Sequence, residues 1–406
     1  MIENLTSSQM LLKAELLTHG CSIQENVIFP NNTNRKSIHL YAHSDESSSR
    51  SIPDDILIGG PTSNCIVRIR FNSNSHLKII QKYEEYFIHD SKKGREQLIS
   101  FISAPQSSQN LIKGHTLGSI CSYLGIDLLG LIPSNYCFYF KNEKQCKFCE
   151  IIDTFKEKLE YRKAFKDLEI IENSVINALN IDSHLKFLAV TSGNLKTYDF
   201  TAQYFCEIGK ALSHHPTFRK LKQVLATLMP PDDFSLIPKI KETGFNKIYF
   251  ALEVFEKNHF ARVCPGKNEY GYERLLEALE FAIEIFGAGN VYTNFVYGIQ
   301  SLDEDLNPLS YDSVKENEKA LQACEKMLEK KIIPAFTLYH YSGYNSIGKI
   351  QLDSDQVFNF FCDWGALVHQ SALVNENEPV VLFGPRTLSN TLFNDGYCLA
   401  KKEVLV

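Results

Sequence analysis

Tyr136-Cys137-Phe138-Tyr139-Phe140-Lys141-Asn142-Glu143-Lys144-Gln145-Cys146-Lys147-Phe148-Cys149 decides how this chain is read. The stretch places three cysteines at C-x8-C-x2-C. Thiolates select soft metals and iron–sulfur clusters, and three of them leave one iron of a four-iron cluster open for chemistry. The apolar run Leu128 to Tyr136 precedes the loop and predicts a strand that delivers it. A helical pattern from Phe155 to Leu179 follows.

Outward from the loop the chain alternates strand and helix. Phe187 to Thr191 is an almost unbroken apolar run, as expected of a strand buried on both faces. Asp199 is a candidate cap for a helix carrying Tyr204, Ile208 and Leu212 on one face. Gln223 to Leu228 predicts a strand, and Ser235 a cap for a helix ending at Gly244. Lys247 to Leu252 is the next strand. A striped helix from Tyr272 to Phe286 follows it and is stopped by Gly287. Val291 to Tyr297 predicts the fifth strand, Ser313 to Glu316 a capping box for a helix running to Lys330, and Ile332 to Tyr339 the sixth strand. Six such alternations predict an α/β fold with a parallel sheet, either open or curled into a barrel. Function in such folds gathers at the carboxyl ends of the strands. The cysteine loop, Ser192-Gly193-Asn194, Glu253 and Gly298 all fall there.

These features resemble the radical S-adenosylmethionine superfamily, and within it the biotin synthase-related group. The resemblance is carried by the cysteine loop, the six alternations, and the run from Leu252-Glu253-Val254-Phe255 through Cys264-Pro265-Gly266-Lys267 to Tyr272-Glu273-Arg274-Leu275. It spans roughly residues 115 to 340. The usual spacing there is C-x3-C-x2-C, so Cys137 is displaced by five residues and Cys121 is its rival. The resemblance implies a partial (β/α)6 TIM-like barrel and a 4Fe-4S cluster held by Cys137, Cys146 and Cys149. It implies S-adenosyl-L-methionine as second cofactor, met by Ser192, Gly193 and Asn194 at its amino group, with asparagine where an acid is often found. Glu253 would contact its ribose or amino group, Arg274 its carboxylate, and Asn294 and Gly298 its adenine side. Reduced flavodoxin or ferredoxin would supply one electron. Cleavage would give methionine and a 5′-deoxyadenosyl radical that takes hydrogen from a small-molecule or carrier-bound substrate. Sulfur insertion and cofactor or natural-product biosynthesis are the outcomes known in that group.

Plainer readings stand beside this one. Cys121, Cys137, Cys146 and Cys149 would suit a structural zinc site in a binding module. The chain would also suit a barrel enzyme of acid–base or aldol chemistry whose cysteines are incidental. Glu253 would then pair with Arg274 or Arg262. Cys264, beside Pro265-Gly266, is a turn residue, an auxiliary-cluster ligand or a group that reaches substrate. Tyr339, His340 and Tyr341 end the sixth strand. His214-His215 reads as a solvated helix end, because adjacent residues on a helix point apart.

The rest bounds the class. The 406 residues are 44% hydrophobic and carry a formal charge of −6, which argues against nucleic-acid and anionic-membrane partners. Leu117 to Ser134 is greasy but holds Asp127, three glycines and Pro133, so it predicts a buried approach to a strand rather than a membrane span. Eleven cysteines, an odd number, without a signal-like N-terminus predict a reduced, cytoplasmic protein. Residues 1–115 are expected to form an N-terminal α+β region, 116–340 the core barrel, and 341–406 a C-terminal extension packing on it. In the first region Met10 to Leu17 predicts a helix, His43 to Ser51 a loop, and Cys65 to Phe71 a strand. Leu77 to Tyr83 and Gln97 to Ile102 read equally as strands or helices. In the last, Val357, Phe358, Phe361, Trp364 and Leu367 predict a helix, Val380 to Phe383 is a final apolar run, and Phe393 and Tyr397 are expected to pack back.

Overall fold

The computed structural model describes residues 5–33, 53–134, 136–151, 166–341, 343 and 345–403. The expected loop over His43 to Ser51 and the first part of the helix expected from Phe155 lie outside them.

Helix α1 (Ser7–His19) opens on a capping box in which Thr6 and Gln9 satisfy each other's backbone N–H groups. Six strands follow: β1 (Ser22–Ile23), β2 (Asp55–Ile58), β3 (Ile66–Arg68), β4 (Leu77–Lys82), β5 (Glu85–Asp90) and β6 (Arg95–Phe101). They form one sheet in the order β1-β4-β5-β6-β2-β3, antiparallel except at β1–β4. The two runs that read equally as strand or helix are thus strands. Arg68 crosses this sheet to Asp55 at 2.7 Å, both buried.

A short hairpin, β7 (Leu111–Ile112) and β8 (His115–Thr116), and one turn of helix, α2 (Leu117–Ile120), lead into the central sheet. Its elements in chain order are β9 (Cys121–Leu124), β10 (Leu128–Leu131), α3 (Leu168–Ile181), β11 (Phe187–Thr191), α4 (Tyr198–Ser213), α5 (Pro216–Arg219), β12 (Gln223–Thr227), α6 (Leu236–Glu242) and β13 (Lys247–Tyr249). Then come α7 (Lys257–Val263), α8 (Pro265–Tyr270), α9 (Tyr272–Phe286), β14 (Val291–Tyr297), α10 (Ser313–Glu329) and β15 (Ile333–Leu338). Strands β10 to β15 are parallel and neighbour each other in sequence order, while β9 is added antiparallel to β10. This is the expected α/β half-barrel, with an edge strand in addition. Leu128, Ala189, Leu225, Asn294 and Thr337, from five of the parallel strands, line a single cavity, so the sheet is curled around it.

Several helix starts differ from expectation. Thr197, not Asp199, caps α4 through Phe200 N–H. The Ser235 hydroxyl bonds Asp233 instead of capping α6. Asp312, not Ser313, caps α10 through the N–H groups of Val314 and Lys315. Glu316 is therefore free of cap duty. Its buried carboxylate instead accepts the N–H groups of Gly298, at 2.5 Å, and Ser301, at 2.8 Å, in the turn after β14. Burial raises Glu316 to about 7.

Helix α11 (Ser354–Gln370) and helix α12 (Phe393–Glu403) close the described chain. Their glycines meet backbone to backbone: a Cβ on Gly365 would lie 2.3 Å from the Gly396 carbonyl carbon. Phe393 stacks on Trp364 with ring centroids 5.6 Å apart, and Tyr397 on His369 at 5.7 Å. Val380 to Phe383 is buried but forms no strand. Lys13 of α1 reaches Asp395 of α12 at 2.7 Å, both buried. Among the described residues, no helix is long and apolar enough to cross a membrane.

Candidate active site

The cysteine loop leaves β10 and is held by backbone hydrogen bonds on two sides. Phe138 N–H donates to the Asn194 carbonyl at 2.9 Å, tying the loop to the end of β11. Lys147 N–H donates to the Val263 carbonyl at 2.8 Å, and Gly266 N–H to the Lys144 carbonyl at 2.9 Å, tying it to the α7–α8 junction. Within the loop, Phe138–Asn142 is one 3-10 turn, ended by Glu143 in the left-handed conformation. Cys149 N–H then returns to the Cys146 carbonyl at 2.9 Å, which sets these two cysteines on one tight turn. Glycine is required beside it: a Cβ on Gly193 would stand 2.4 Å from the Tyr136 carbonyl oxygen and 2.9 Å from Cys137 Cβ.

Cys137, Cys146 and Cys149 face one cavity of about 360 Å³. The Cys137 sulfur accepts N–H groups from Tyr139 and Asn194, yet burial pushes its thiol up to about 11. Cys146 lies against the Cys264 thiol, whose hydrogen bond, with help from the Lys267 ammonium, holds Cys146 below the ordinary thiol range. Burial and the nearby Cys146 push Cys149 up. Cys121 sits on β9, outside this cavity wall, and burial raises it to about 12. The four-cysteine set of Cys121, Cys137, Cys146 and Cys149 is therefore not gathered around the cavity.

On the same cavity wall, Glu253 follows β13 in the left-handed conformation, with φ +68°. Its N–H donates to the Asn294 carbonyl at 2.6 Å, and its own carbonyl accepts Val296 N–H at 2.9 Å. One carboxylate oxygen meets Lys267 Nζ at 2.8 Å and the other accepts Asn294 Nδ2 at 2.9 Å. Lys267 also donates to the Ala251 carbonyl at 2.8 Å. Burial alone would lower the Lys267 ammonium, but Glu253 and the thiols of Cys146 and Cys264 outweigh it and raise it. Tyr249 Oη donates to Asn294 Oδ1 at 3.0 Å, which fixes the amide.

Of the expected cofactor residues, Ser192, Gly193, Asn194, Glu253 and Asn294 line the cavity. Arg274 and Gly298 do not. Arg274 donates to the Asp232 carbonyl at 2.7 Å, with its guanidinium over the rings of Phe234 and Tyr270, 5.3 and 5.5 Å away. Those two rings hold it outside the cavity wall. Arg262 instead faces the exposed Glu304 at 3.6 Å. The partner of Glu253 is thus Lys267, not either arginine. Gly298 is backed by Leu352, whose Cδ2 would stand 2.7 Å from an added Cβ.

Sequence reasoning gave two cavity residues no role. Lys267 lay in the quoted Cys-Pro-Gly-Lys run, where its sole signal was a lysine just after a turn. Gln145 precedes the second cysteine, and its Oε1 is buried in the cavity wall without a hydrogen-bond partner among the described residues.

No protein-family model matches the sequence. A stretch of 117 residues is 33% identical to bacteriochlorophyllide c C-7(1)-hydroxylase of Chlorobaculum limnaeum, covering 29% of this chain. It spans 26% of that protein, about a quarter of its length. Among solved structures, the FeFe-hydrogenase maturase HydG from Carboxydothermus hydrogenoformans aligns with a TM-score of 0.41 and 17% identity, over 62% of this chain and 52% of that one. Coproporphyrinogen III oxidase of Escherichia coli, described as a radical SAM enzyme, aligns with a TM-score of 0.38 and 14% identity, over 67% of this chain and 59% of that one.

Proposed function

We propose that this chain is a radical S-adenosylmethionine enzyme that takes hydrogen from a carbon of an apolar substrate. One observation carries the reading: the thiols of Cys137, Cys146 and Cys149 line one cavity together with the Glu253–Lys267–Asn294 triad. The residues fit a cluster. N–H donors already point at the Cys137 sulfur, Gly193 leaves room for the loop, and three thiols with one open iron suit a ligand that must bind and leave. The orphan Gln145 Oε1 offers an acceptor to a bound group. When bound, the cluster and S-adenosylmethionine supply the electron and the radical that breaks the substrate's C–H bond.

The protein's own part is positioning and exclusion. Ser192, Gly193 and Asn194 present turn atoms to the cofactor's amino end. Glu253, neutralised by Lys267, offers a carboxylate oxygen without adding a net buried charge. Small residues Gly130, Ala189 and Ala251 hollow the sheet's inner face, and Leu225, Leu382 and Phe393 line the space. That wall suits an uncharged, bulky apolar substrate and keeps water from a radical. The hydroxylase that matches part of the chain is named for chemistry on a bacteriochlorophyllide, which supports the same substrate character. The run Leu252 to Leu275 supports a place beside the biotin synthase-related group, and a reduced flavodoxin or ferredoxin suits the electron.

The test is anaerobic purification, iron and sulfide analysis, then dithionite with S-adenosylmethionine and chromatography for 5′-deoxyadenosine. About four irons per chain and formation of that product are expected. One zinc and no iron would overturn the reading.

A further inference from the structure

We propose that Glu172, His214 and His215 form a surface site for one divalent transition-metal ion, which clips α3 to the corner between α4 and α5. The two histidines do not point apart, because the helix does not continue through them. His214 ends α4 in the helical conformation, and His215 turns extended, with ψ 131°, ahead of Pro216. Their rings therefore fold to one side, with centroids 4.0 Å apart and planes tilted by 36°. Both Nε2 atoms face the same Glu172 oxygen, His215 at 2.8 Å and His214 at 3.4 Å. All three ligand atoms lie within 4.8 Å of one another.

The three atoms are close enough for one small ion after a shift of a few tenths of an ångström, the 3.4 Å pair already being at the spacing such a site requires. Bonds of about 2.0–2.2 Å in a tetrahedral zinc site put neighbouring ligand atoms roughly 3.3–3.6 Å apart. His214 Nδ1 faces the Lys210 carbonyl at 3.5 Å, which leaves Nε2 as the atom toward Glu172. Both imidazoles and the carboxylate thus aim their ligating atoms at one small space. A ring N–H held by a backbone carbonyl is also how metal-bound histidines are oriented. Two imidazoles and a carboxylate suit zinc, cobalt, nickel or copper, and leave a fourth position for water. None of the three residues lines the cavity of the cysteines, so the site is separate from the proposed chemistry.

Cobalt(II) titration of the full chain, its cluster loaded where one assembles, tests this. One equivalent should bind with the weak visible bands of nitrogen and oxygen ligation and without the intense near-ultraviolet bands of thiolate ligation. His215→Ala and Glu172→Gln should each weaken that binding by at least about tenfold. Zinc should displace the cobalt and raise the melting temperature of the wild type but not of either variant. No cobalt binding, thiolate bands alone, or binding unchanged in both variants would overturn the proposal.

Discussion

Lys267 Nζ stands 2.8 Å from Glu253 Oε1, and both side chains are buried. A buried pair contributes little against an apolar replacement, but removing one partner strands a charge. Lys267→Met should therefore destabilise the fold by about 3–5 kcal/mol in chemical denaturation. Glu253→Gln added to it should recover much of that loss. Equal stability of Lys267→Met and wild type would mean the pair is not closed in solution.

Gly193 presses on the cysteine loop, and alanine there has no room. Gly193→Ala should cost about 1–3 kcal/mol and lower iron content by displacing Cys137. Cys146→Ala and Cys149→Ala should abolish both iron binding and cofactor cleavage, while Cys121→Ala leaves both intact. Iron loss in Cys121→Ala, with full iron in Cys137→Ala, would exchange the two ligands.

Cys264 gives the loop a fourth thiol without facing the cavity itself. Cys264→Ala should keep its iron but shift the cluster to a lower reduction potential, because a donor to a ligand sulfur is lost. Cys264→Ser, which retains a donor, should restore much of that potential in a redox titration. Loss of iron in Cys264→Ala would instead make Cys264 a ligand.

Glu316 gives a pH signature. Its folded value of about 7 lies above the ordinary glutamate range, so the native state holds a proton that the unfolded chain has already lost. Its contribution is present below about pH 4.5 and falls as pH rises to about 7, by on the order of 3 kcal/mol. Urea titrations at pH 5 and pH 7 should show this decline in the wild type relative to Glu316→Gln. An identical difference at both pH values would exclude Glu316 as its source.

The readable parts of the fold were those where burial writes a simple pattern. Phe187–Thr191 and Val291–Tyr297 are buried along nearly their whole length, so the first appears as an almost unbroken apolar run and the second as one interrupted only by Thr293-Asn294. Tyr272–Phe286 has one apolar stripe and a glycine stop. Strand β9 was hidden because it and β10 share one greasy stretch, with only Gly125 to turn them. Half-covered strands such as Arg95–Phe101 mix exposed and buried positions and lose the period of two. Ser192 to Asn194 and Glu253 reach the cavity wall because they follow strands, and Asn294 reaches it from the middle of β14. Lys267 reaches Glu253 through a left-handed turn, a conformation that glutamate does not advertise. Arg274 was misplaced because Tyr270, one turn before it, and Phe234, forty residues away, hold it outside.

Lys13 and Asp395 lie 382 residues apart in the chain and meet in the interior. At ordinary ribosomal speeds, roughly 20–75 s separate their synthesis. Throughout that interval α1 carries Met10, Leu12, Leu16 and Leu17 with its α11 and α12 neighbours not yet made. Until then α1 has only the early sheet, through β3, to cover it, so its docking is completed last although it is made first.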